Sequence, residues 1–489
     1  MKVARGLFVG SIVAAAAGLA AVMWAVAVPR PGLYVAGVLA CASALLVRLA
    51  VHRTRRELVV LSVIVAVLVA AAIAVPKAVL AAQLRPEIRW SAELADRAPG
   101  DRLLRTWVIG DRIYVASSSL PMRSYDRGTG RLVATYPAAT ADHVAVTADG
   151  SVVGWTAGEA QKRQVTLYAP DGKVRWTRQF HGRSTIDRLP QRTPVVAAAD
   201  GVVVLADCRD GRQESYGNCT WTGVDQTGET SWTRTTDWQP SAENEQSMMF
   251  GRTLSALPSI ILGKGEENYV VLAAADGREL LLHKRLVGTR TAVQGDIAVF
   301  AEFSGDGCRI VGYRDGEQAF STDGVRCLVL GRLTIVGERA YMDGEAGRGQ
   351  LTVGMTDGAA QALEGVGLSG WPGSTPAPGP DVIVYRDGKT LTARDAGSGQ
   401  ELWKQDAPGK VIGVLVDNGG VLVRSEVSSH NPFFPRKDQY SWLTTWDART
   451  GERIAGRLAR GGDMSRQSSI GPGQALVQSE DGRTVSLLG

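Results

Sequence analysis

The sequence predicts an all-β protein, a β-propeller of about eight blades within a range of seven to nine, with an N-terminal α-helical transmembrane region of three helices. Three observations lead to this prediction. Long apolar runs are confined to the first 84 of 489 residues, a strand-turn-strand phrase recurs through the rest, and that remainder has no long helical periodicity. We therefore divide the chain into a membrane anchor at 1–84 and an exported β domain at 85–489.

Three apolar segments are long enough to cross the roughly 30 Å hydrocarbon core of a bilayer as α-helices. They span about 6–28, 32–51 and 58–82. Arg53, Arg55 and Arg56 separate the second segment from the third. Because positively charged loops stay in the cytoplasm, we expect a multi-pass cell-membrane protein with a cytoplasmic N-terminus and an extracytoplasmic C-terminal domain.

Two other interpretations compete for the N-terminal region. Residues 1–27 could be a cleaved signal peptide, since Ala25, Val26 and Ala27 resemble a small-residue cleavage site. Cleavage would leave the C-terminal domain on the same side of the membrane. The apolar segments could also be buried helices of a soluble protein, but they have almost no polar face, which is unusual in water.

The positive charge of the chain belongs to its N-terminal region. Residues 1–90 contain ten Lys and Arg residues against Glu57 and Glu87, a net charge of +8, so the overall charge of +5 leaves −3 for the remainder. Nucleic-acid binding needs a basic stripe on the folded domain. We therefore expect the membrane, and no nucleic acid, as a partner.

The cysteines agree with export to an oxidising compartment. Cys208 and Cys219 bracket turn-forming residues, as do Cys308 and Cys327, whereas Cys41 lies in the second apolar segment. If these turns close β-hairpins, the members of each pair face each other across neighbouring strands, which predicts two disulfides. Reduced buried thiols are the alternative. The Cys and His spacing does not match a zinc site, so we nominate no metal ligand.

A recurring phrase organises residues 85–489: an apolar strand, a turn with Asp and Gly, and a strand with a large apolar residue four positions after the Gly. The clearest copies reach Trp176, Trp232 and Trp403. Weaker copies centre on Gly130, Gly277, Gly316, Gly358, Gly451 and Gly482. The copies lie about 31 to 56 residues apart, the size of a four-stranded propeller blade. Twelve Asp-Gly dipeptides supply the tight turns that hairpins need.

Single hairpins of this kind cannot bury their apolar face, so the copies must pack on one another around an axis. Trp90, Trp176, Trp232 and Trp403 are then expected to lie between adjacent sheets, where a large flat side chain buries much area.

The two ends of the β domain are complementary. Residues 86–90 form an outer-strand phrase with no partner before it, while 474–479 and 483–488 form inner-strand phrases with no outer strand after them. We predict that these segments pair in one blade and close the ring, which removes an exposed sheet edge.

Phrases of the form Asp-x-x-Thr-Gly-x-x-x-Trp resemble the repeat of the PQQ-like, or quinoprotein-type, β-propeller family. The best copies lie at 125–131, 224–232, 394–403 and 446–452. The resemblance covers nearly all of 85–489 and implies eight blades, although nine candidate phrases can be counted. With the high Ala, Arg and Gly content, it implies a membrane-anchored bacterial member of that family.

The resemblance also raises an enzymatic alternative, a membrane-bound oxidoreductase that uses pyrroloquinoline quinone with calcium. Many members clamp the quinone beneath a disulfide between adjacent cysteines, and no two cysteines adjoin here. The five histidines are scattered without a recognisable acid–base partner. They are His52, His143, His181, His283 and His430. We nominate no catalytic or cofactor-binding residue and expect no cofactor under the leading hypothesis.

Two loops depart from the minimal blade and carry apolar residues that suggest a partner. They lie at 428–440 and 238–252. The candidate partner-binding residues are Phe433, Phe434, Met248, Met249 and Phe250. Either loop could instead fold back over its own blade. Our leading hypothesis is a non-enzymatic binding, scaffolding or sensing module for an envelope protein, an envelope polymer or a small ligand.

Overall fold

Short strands, with the turns that join them, make up nearly all of the chain that the structure, a computed structural model, describes. The described residues are 17–19, 21, 37, 40–41, 44, 88–94, 104–117, 120–140, 143–156, 163–180, 195–208, 219–241, 253–304, 307–325, 333–343, 350–363, 377–417, 419–426, 440–460, 467–479 and 483–489. Within them, the strands form nine sheets, each of which is one blade of a β-propeller.

The anchor region contributes few described residues. Residues 17–19, 21, 37, 40, 41 and 44 are helical and fall in the first two predicted spans. Over the described residues, no helix combines the length and the apolar character that a membrane span requires. The three spans and their orientation therefore stay predictions.

The chain divides into two compact units. The first comprises Met1–Pro86, Glu426–Leu443 and Arg457–Gly462, and its described residues are the helical positions above and the ends of strands. The second comprises Glu87–Ser425, Thr444–Gly456 and Asp463–Gly489 and contains the propeller core.

The strands follow one another around the propeller in chain order, starting with β1 (Ile88–Glu93), which belongs to the last blade. Blade 1 contains β2 (Leu104–Ile109), β3 (Arg112–Ser117), β4 (Met122–Asp126) and β5 (Leu132–Tyr136). Blade 2 contains β6 (Val144–Val146), β7 (Val152–Trp155), β8 (Arg163–Tyr168) and β9 (Val174–Phe180). Blade 3 contains β10 (Val195–Ala199), β11 (Val202–Cys208), β12 (Cys219–Val224) and β13 (Thr230–Thr236).

Blade 4 is interrupted in sequence. It contains β14 (Gln239–Pro240), β16 (Ile260–Lys264), β17 (Asn268–Ala273) and β18 (Glu279–Lys284), while the intervening β15 (Thr253–Leu254) pairs elsewhere. Blade 5 contains β19 (Arg290–Gln294), β20 (Ile297–Ser304), β21 (Gly307–Arg314) and β22 (Glu317–Val325). Blade 6 contains β23 (Leu333–Val336), β24 (Arg339–Asp343), β25 (Gln350–Gly354) and β26 (Ala360–Leu363).

The last three blades complete the circuit. Blade 7 contains β27 (Ala377–Pro378), β28 (Val382–Asp387), β29 (Thr390–Asp395) and β30 (Glu401–Asp406). Blade 8 contains β31 (Val411–Asp417), β32 (Gly420–Glu426), β33 (Tyr440–Asp447) and β34 (Arg453–Arg460). Blade 9 contains β35 (Gln467–Gly471), β36 (Gln474–Gln478), β37 (Thr484–Leu488) and, at its outer edge, β1.

The first strand of each blade lies next to the axis. First strands of neighbouring blades contact one another, as β27, β31, β35 and β2 do in turn. Fourth strands lie outermost, and β30 accordingly buries only Trp403 of its six residues. Apolar clusters fill the junctions between blades, so the core is a set of layers arranged around the axis.

Nine blades replace the eight that the family resemblance implies. Eight Gly-containing turns join a third strand to a fourth strand, from Gly130 in blade 1 to Gly451 in blade 8. The ninth blade has no such turn because its fourth strand, β1, comes from the other end of the β domain. The Gly482 phrase lies between β36 and β37, outside the described residues, and does not start an outer strand.

The closing blade joins both ends of the β domain. β1 runs antiparallel to β37, from Ile88 opposite Leu488 to Glu93 opposite Thr484. β37 in turn pairs with β36. The predicted pairing of the two ends is therefore confirmed, and this blade leaves no unpaired strand within the ring.

A tryptophan on the fourth strand docks on the next blade at four junctions. Each indole Nε1 donates a hydrogen bond to a backbone carbonyl of that blade. The pairs are Trp90 to Arg127 (3.0 Å), Trp176 to Asp225 (2.7 Å), Trp232 to Ala274 (3.1 Å) and Trp403 to Ala448 (2.8 Å). Each ring covers a turn glycine, and a Cβ at Gly130 would come within 2.4 Å of Trp90. Glycine is required at such a position because nothing larger leaves room for the indole.

The same position is filled differently at other junctions. Ala134 of blade 1 faces Gly172, and Phe320 of blade 5 faces Gly358. The geometry of the junction is thus kept where the tryptophan is absent, which explains why several copies of the phrase are weak in sequence.

The turns between third and fourth strands are closed by an aspartate. The Asp126 carboxylate accepts hydrogen bonds of 2.7 Å from both the N–H and the hydroxyl of Thr129. Asp225 accepts the same two bonds from Thr227 at 2.8 and 2.7 Å. Asp and Thr therefore recur in the phrase because they cap the turn, with the following Gly supplying the left-handed backbone.

We expect replacement of Trp176 with Ala to lower the apparent free energy of unfolding by about 3–5 kcal/mol. Trp176 is 6% exposed, and the change removes both its packing on blade 3 and its hydrogen bond to Asp225. Denaturant unfolding followed by circular dichroism measures the effect. Trp176→Phe is the matched control, because it keeps a six-membered aromatic ring on blade 3 and loses the donor with the smaller part of the indole. Equal losses for the two variants would contradict the packing role.

The aspartate turns make stability depend on pH at the acid end. The Thr129 hydroxyl lowers the pKa of Asp126, and the Thr227 hydroxyl lowers the pKa of Asp225. Because the folded pKa is the lower one, this stabilisation is complete above the unfolded value of about 4 and is lost as the pH falls through the folded pKa. We expect the melting temperature to fall less between about pH 5 and pH 3 in an Asp126→Asn, Asp225→Asn variant than in the parent. Identical pH profiles would exclude this contribution.

Candidate functional site at the propeller axis

Blade 4 departs from the other blades at its innermost strand. β14 has only two residues, which pair with Lys264 and Gly263 of β16. Nineteen residues separate Pro240 from Ile260, whereas a two-residue turn joins β2 to β3 in blade 1. At the end of this connection, β15 lies on the free inner edge of blade 1, parallel to β2. We name residues 253–258 the axial strap.

The axial strap begins at the blades that close the ring. The Thr253 N–H donates to the Asp417 carboxylate of blade 8 at 2.8 Å, and the Thr253 hydroxyl donates to the Ser469 carbonyl of blade 9 at 2.8 Å. Thr253 and Leu254 lie opposite Thr106 and Trp107 of blade 1. Thr253 thus contacts blades 8, 9 and 1, which are neighbours in the closed ring.

The strap then returns to blade 4 along the inner edges of blades 2 and 3. The Leu257 N–H donates to the Val146 carbonyl at 2.7 Å, and the Pro258 carbonyl accepts the Ala198 N–H at 2.9 Å. Leu254 also packs on the apolar cluster between blades 1 and 2, and Leu257 packs on the cluster between blades 2 and 3. Because innermost strands surround the axis, the strap occupies the axial side of blades 1, 2 and 3.

The chemistry around the strap is that of hydroxyls and backbone amides. The hydroxyls of Thr106 and Ser468, both fully buried, lie 3.2 Å apart beside it. Asp417 supplies a carboxylate that is already engaged by Thr253. Across the described part of the chain, no group of three or more His, Cys, Asp or Glu residues is placed to hold a metal ion. This arrangement is suited to holding a polypeptide segment.

One histidine has an acidic partner that the sequence did not reveal. His283 Nε2 of blade 4 and Glu302 Oε1 of blade 5 lie 2.7 Å apart, which corrects the expectation that no histidine has an acid–base partner. The imidazole also stacks on Phe300, with ring centroids 4.2 Å apart. Both members of the pair are 9% exposed, so it bridges two blades in an enclosed position.

The cysteine predictions have different outcomes. Cys208 and Cys219 lie directly opposite each other on β11 and β12 and form a disulfide, which confirms this pair. Cys308 is also disulfide-bonded. Cys327 lies outside the described residues, so the Cys308–Cys327 pairing stays a prediction.

The candidate partner-binding residues lie outside the described part of the chain. This applies to Phe433, Phe434, Met248, Met249 and Phe250. At the start of the second loop, Trp238 is partly buried against blades 3 and 4, under the Arg234 guanidinium at 5.1 Å from its ring centroid. The residues that follow this loop form the axial strap.

The strap was not predicted from the sequence. One signal for it exists: no Asp-Gly or other tight-turn dipeptide occurs between Trp238 and Ile260, where the hairpin of blade 4 should close. The sequence gives no signal for the blades that the strap contacts, because Thr253 lies 164 and 216 positions away from Asp417 and Ser469.

Comparison with known proteins supports the repeat assignment. A family model described as outer membrane protein assembly factor BamB matches residues 343–487, which extend from the end of β24 through blade 9. The resemblance to PQQ-like propeller repeats is therefore confirmed. No curated protein sequence matches the chain.

Several solved structures are similar to the chain at low sequence identity. BamB from Moraxella catarrhalis is 14% identical, covers 81% of this chain and 95% of its own, and has a TM-score of 0.37. Quinohemoprotein alcohol dehydrogenase from Comamonas testosteroni is 13% identical over 82% of this chain and 76% of its own, with a TM-score of 0.36. The C-terminal WD40 domain of Sif2 is 10% identical over 82% and 99%, with a TM-score of 0.40.

Proposed function

We propose that the chain is a non-enzymatic binding, scaffolding or sensing module built on PQQ-like propeller repeats, of which residues 343–487 match the family model. In this proposal, the anchor at 1–84 holds the propeller at the cell membrane, outside the cytoplasm. The partner is an envelope protein, an envelope polymer or a small ligand.

The path of the axial strap carries the non-enzymatic part of the proposal. The strap covers the inner edges of blades 1, 2 and 3 and is tied to blades 8 and 9. A cofactor held on the axis would compete with this segment for the same strand edges. The His283–Glu302 pair is enclosed between blades 4 and 5.

The disulfide supports the extracytoplasmic location. Cys208 and Cys219 join the ends of two paired strands, and disulfides of this structural kind persist in oxidising compartments. The location agrees with the orientation expected from Arg53, Arg55 and Arg56.

Connections between the second and third strands are the proposed binding elements. The connection in blade 8, between Glu426 and Tyr440, has 13 residues and includes Phe433 and Phe434. The next longest, in blade 3, has 10 residues and is closed at its base by the Cys208–Cys219 disulfide. Long loops on a rigid scaffold are common binding elements because they vary without disturbing the core. Met248, Met249 and Phe250 extend this proposal to the connection that leads into the strap.

Replacing Phe433 and Phe434 with Ser should weaken partner capture without unfolding the propeller. Crosslinking in intact cells through a photoreactive residue at position 432 measures capture, and the melting temperature measures folding. The matched control is Val174→Ser with Leu402→Ser, which removes two apolar residues that are 58% and 36% exposed on outer strands. If the Phe variant loses folding, or if both variants lose crosslinks equally, the two phenylalanines are structural.

Titration with pyrroloquinoline quinone and calcium should produce no new protein-bound absorbance. This expectation follows from the strap's position against the inner edges of blades 1 to 3. Equilibrium dialysis of the purified full chain in detergent, followed by a visible spectrum, provides the measurement. Stoichiometric binding with a shifted spectrum would favour the oxidoreductase alternative instead.

A further inference from the structure

The blades that close the ring bury an unusual amount of polar surface. Nine of the 22 buried polar or charged residues among those described belong to blades 8 and 9. Gln467, 4% exposed, has a side-chain oxygen without a hydrogen-bond partner in the described structure, as does Ser425, which is fully buried. Burial of polar groups without partners weakens packing. These two blades are therefore expected to hold together less firmly than the apolar junctions elsewhere.

The closing blade also depends on strands from two distant parts of the chain. β35, β36 and β37 come from the C-terminal end, whereas β1 precedes every other strand. The outer seam consists of the ladder between β1 and β37 and of Trp90, which docks on blade 1. Opening this seam would separate β1 from the remainder of blade 9.

The axial strap reaches the same blades from the inside. Thr253 binds Asp417 of blade 8 and Ser469 of blade 9 and lies opposite Thr106 of blade 1. The strap is part of the covalent chain of blade 4, on another part of the ring. It therefore connects the closing blades to the first half of the propeller without using β1.

We propose that the axial strap is an internal clamp that keeps blades 8, 9 and 1 together when the outer seam opens. Closure of this propeller has two parts: the β1–β37 ladder at the rim, and the strap at the axis. Thr253 is the point where the clamp closes, because its N–H and hydroxyl each engage a different blade. This inference does not depend on the proposed function.

Hydrogen exchange on the full chain in detergent tests the clamp. The seam variant is Trp90→Ala, and the strap variant combines Thr253→Val with Asp417→Ala. Peptides that cover β35 report the inner strand of blade 9, and peptides that cover β20 of blade 5 report global unfolding. Asp111→Ala, an exposed aspartate in the hairpin turn between β2 and β3, is the matched control for loss of a turn carboxylate.

In the seam variant, we expect faster exchange in β1 and β37, while β35 stays protected by the strap. Adding the strap substitutions to Trp90→Ala should speed exchange in β35 by at least about tenfold, with β20 still protected. The same substitutions without Trp90→Ala should leave β35 close to the parent, as should Asp111→Ala.

Equal protection of β35 in the Trp90→Ala variant with and without the strap substitutions would overturn the proposal. So would loss of β35 protection in Trp90→Ala alone to the level of the combined variant. If the combined variant does not fold, Trp90→Phe replaces Trp90→Ala, since it keeps an aromatic ring against Tyr125 and removes the bond to Arg127 with only part of the packing.

Discussion

The propeller depends on one contact that recurs around the ring, between a side chain of an outermost strand and a turn glycine of the next blade. The indoles of Trp90, Trp176 and Trp403 each cover such a glycine and donate a hydrogen bond to the following blade. Each contact joins a fourth strand to a turn of the neighbouring blade. This repeated contact sets the spacing between neighbouring blades, and the closure of the nine-bladed ring depends on that spacing.

Part of the chain itself lies on the axial side of blades 1, 2 and 3. The excursion from blade 4 brings Thr253 and Leu254 to β2, so that one strand edge next to the axis is already paired. The proposed binding elements are accordingly the connections between strands. The disulfide at the base of one such connection stabilises its starting geometry.

Stability is distributed unevenly between the junctions. The junction of blades 1 and 2 packs Trp107, Tyr114 and Tyr168 in an apolar cluster, whereas blades 8 and 9 bury Ser425 and Gln467. Hydroxyl and amide groups cost free energy to bury unless every polar atom is satisfied. Additional bridges at these blades, through β1 outside and the strap inside, compensate for that weakness.

The sequence alone determined the repeat, the all-β class, the pairing of the two ends and the Cys208–Cys219 bridge. These features are local or periodic: an Asp-Thr-Gly turn caps itself, a hairpin places its own cysteines opposite each other, and an incomplete blade at each end predicts its missing half. The number of blades was less certain, because Ala134 and Phe320 replace tryptophan where the junction still fits. Only the tertiary structure showed that residues 253–258 lie along blades 1, 2 and 3 and that Glu302 lies beside His283. Those contacts join residues on different blades, and a sequence pattern carries no information about which strand edge a distant segment will find.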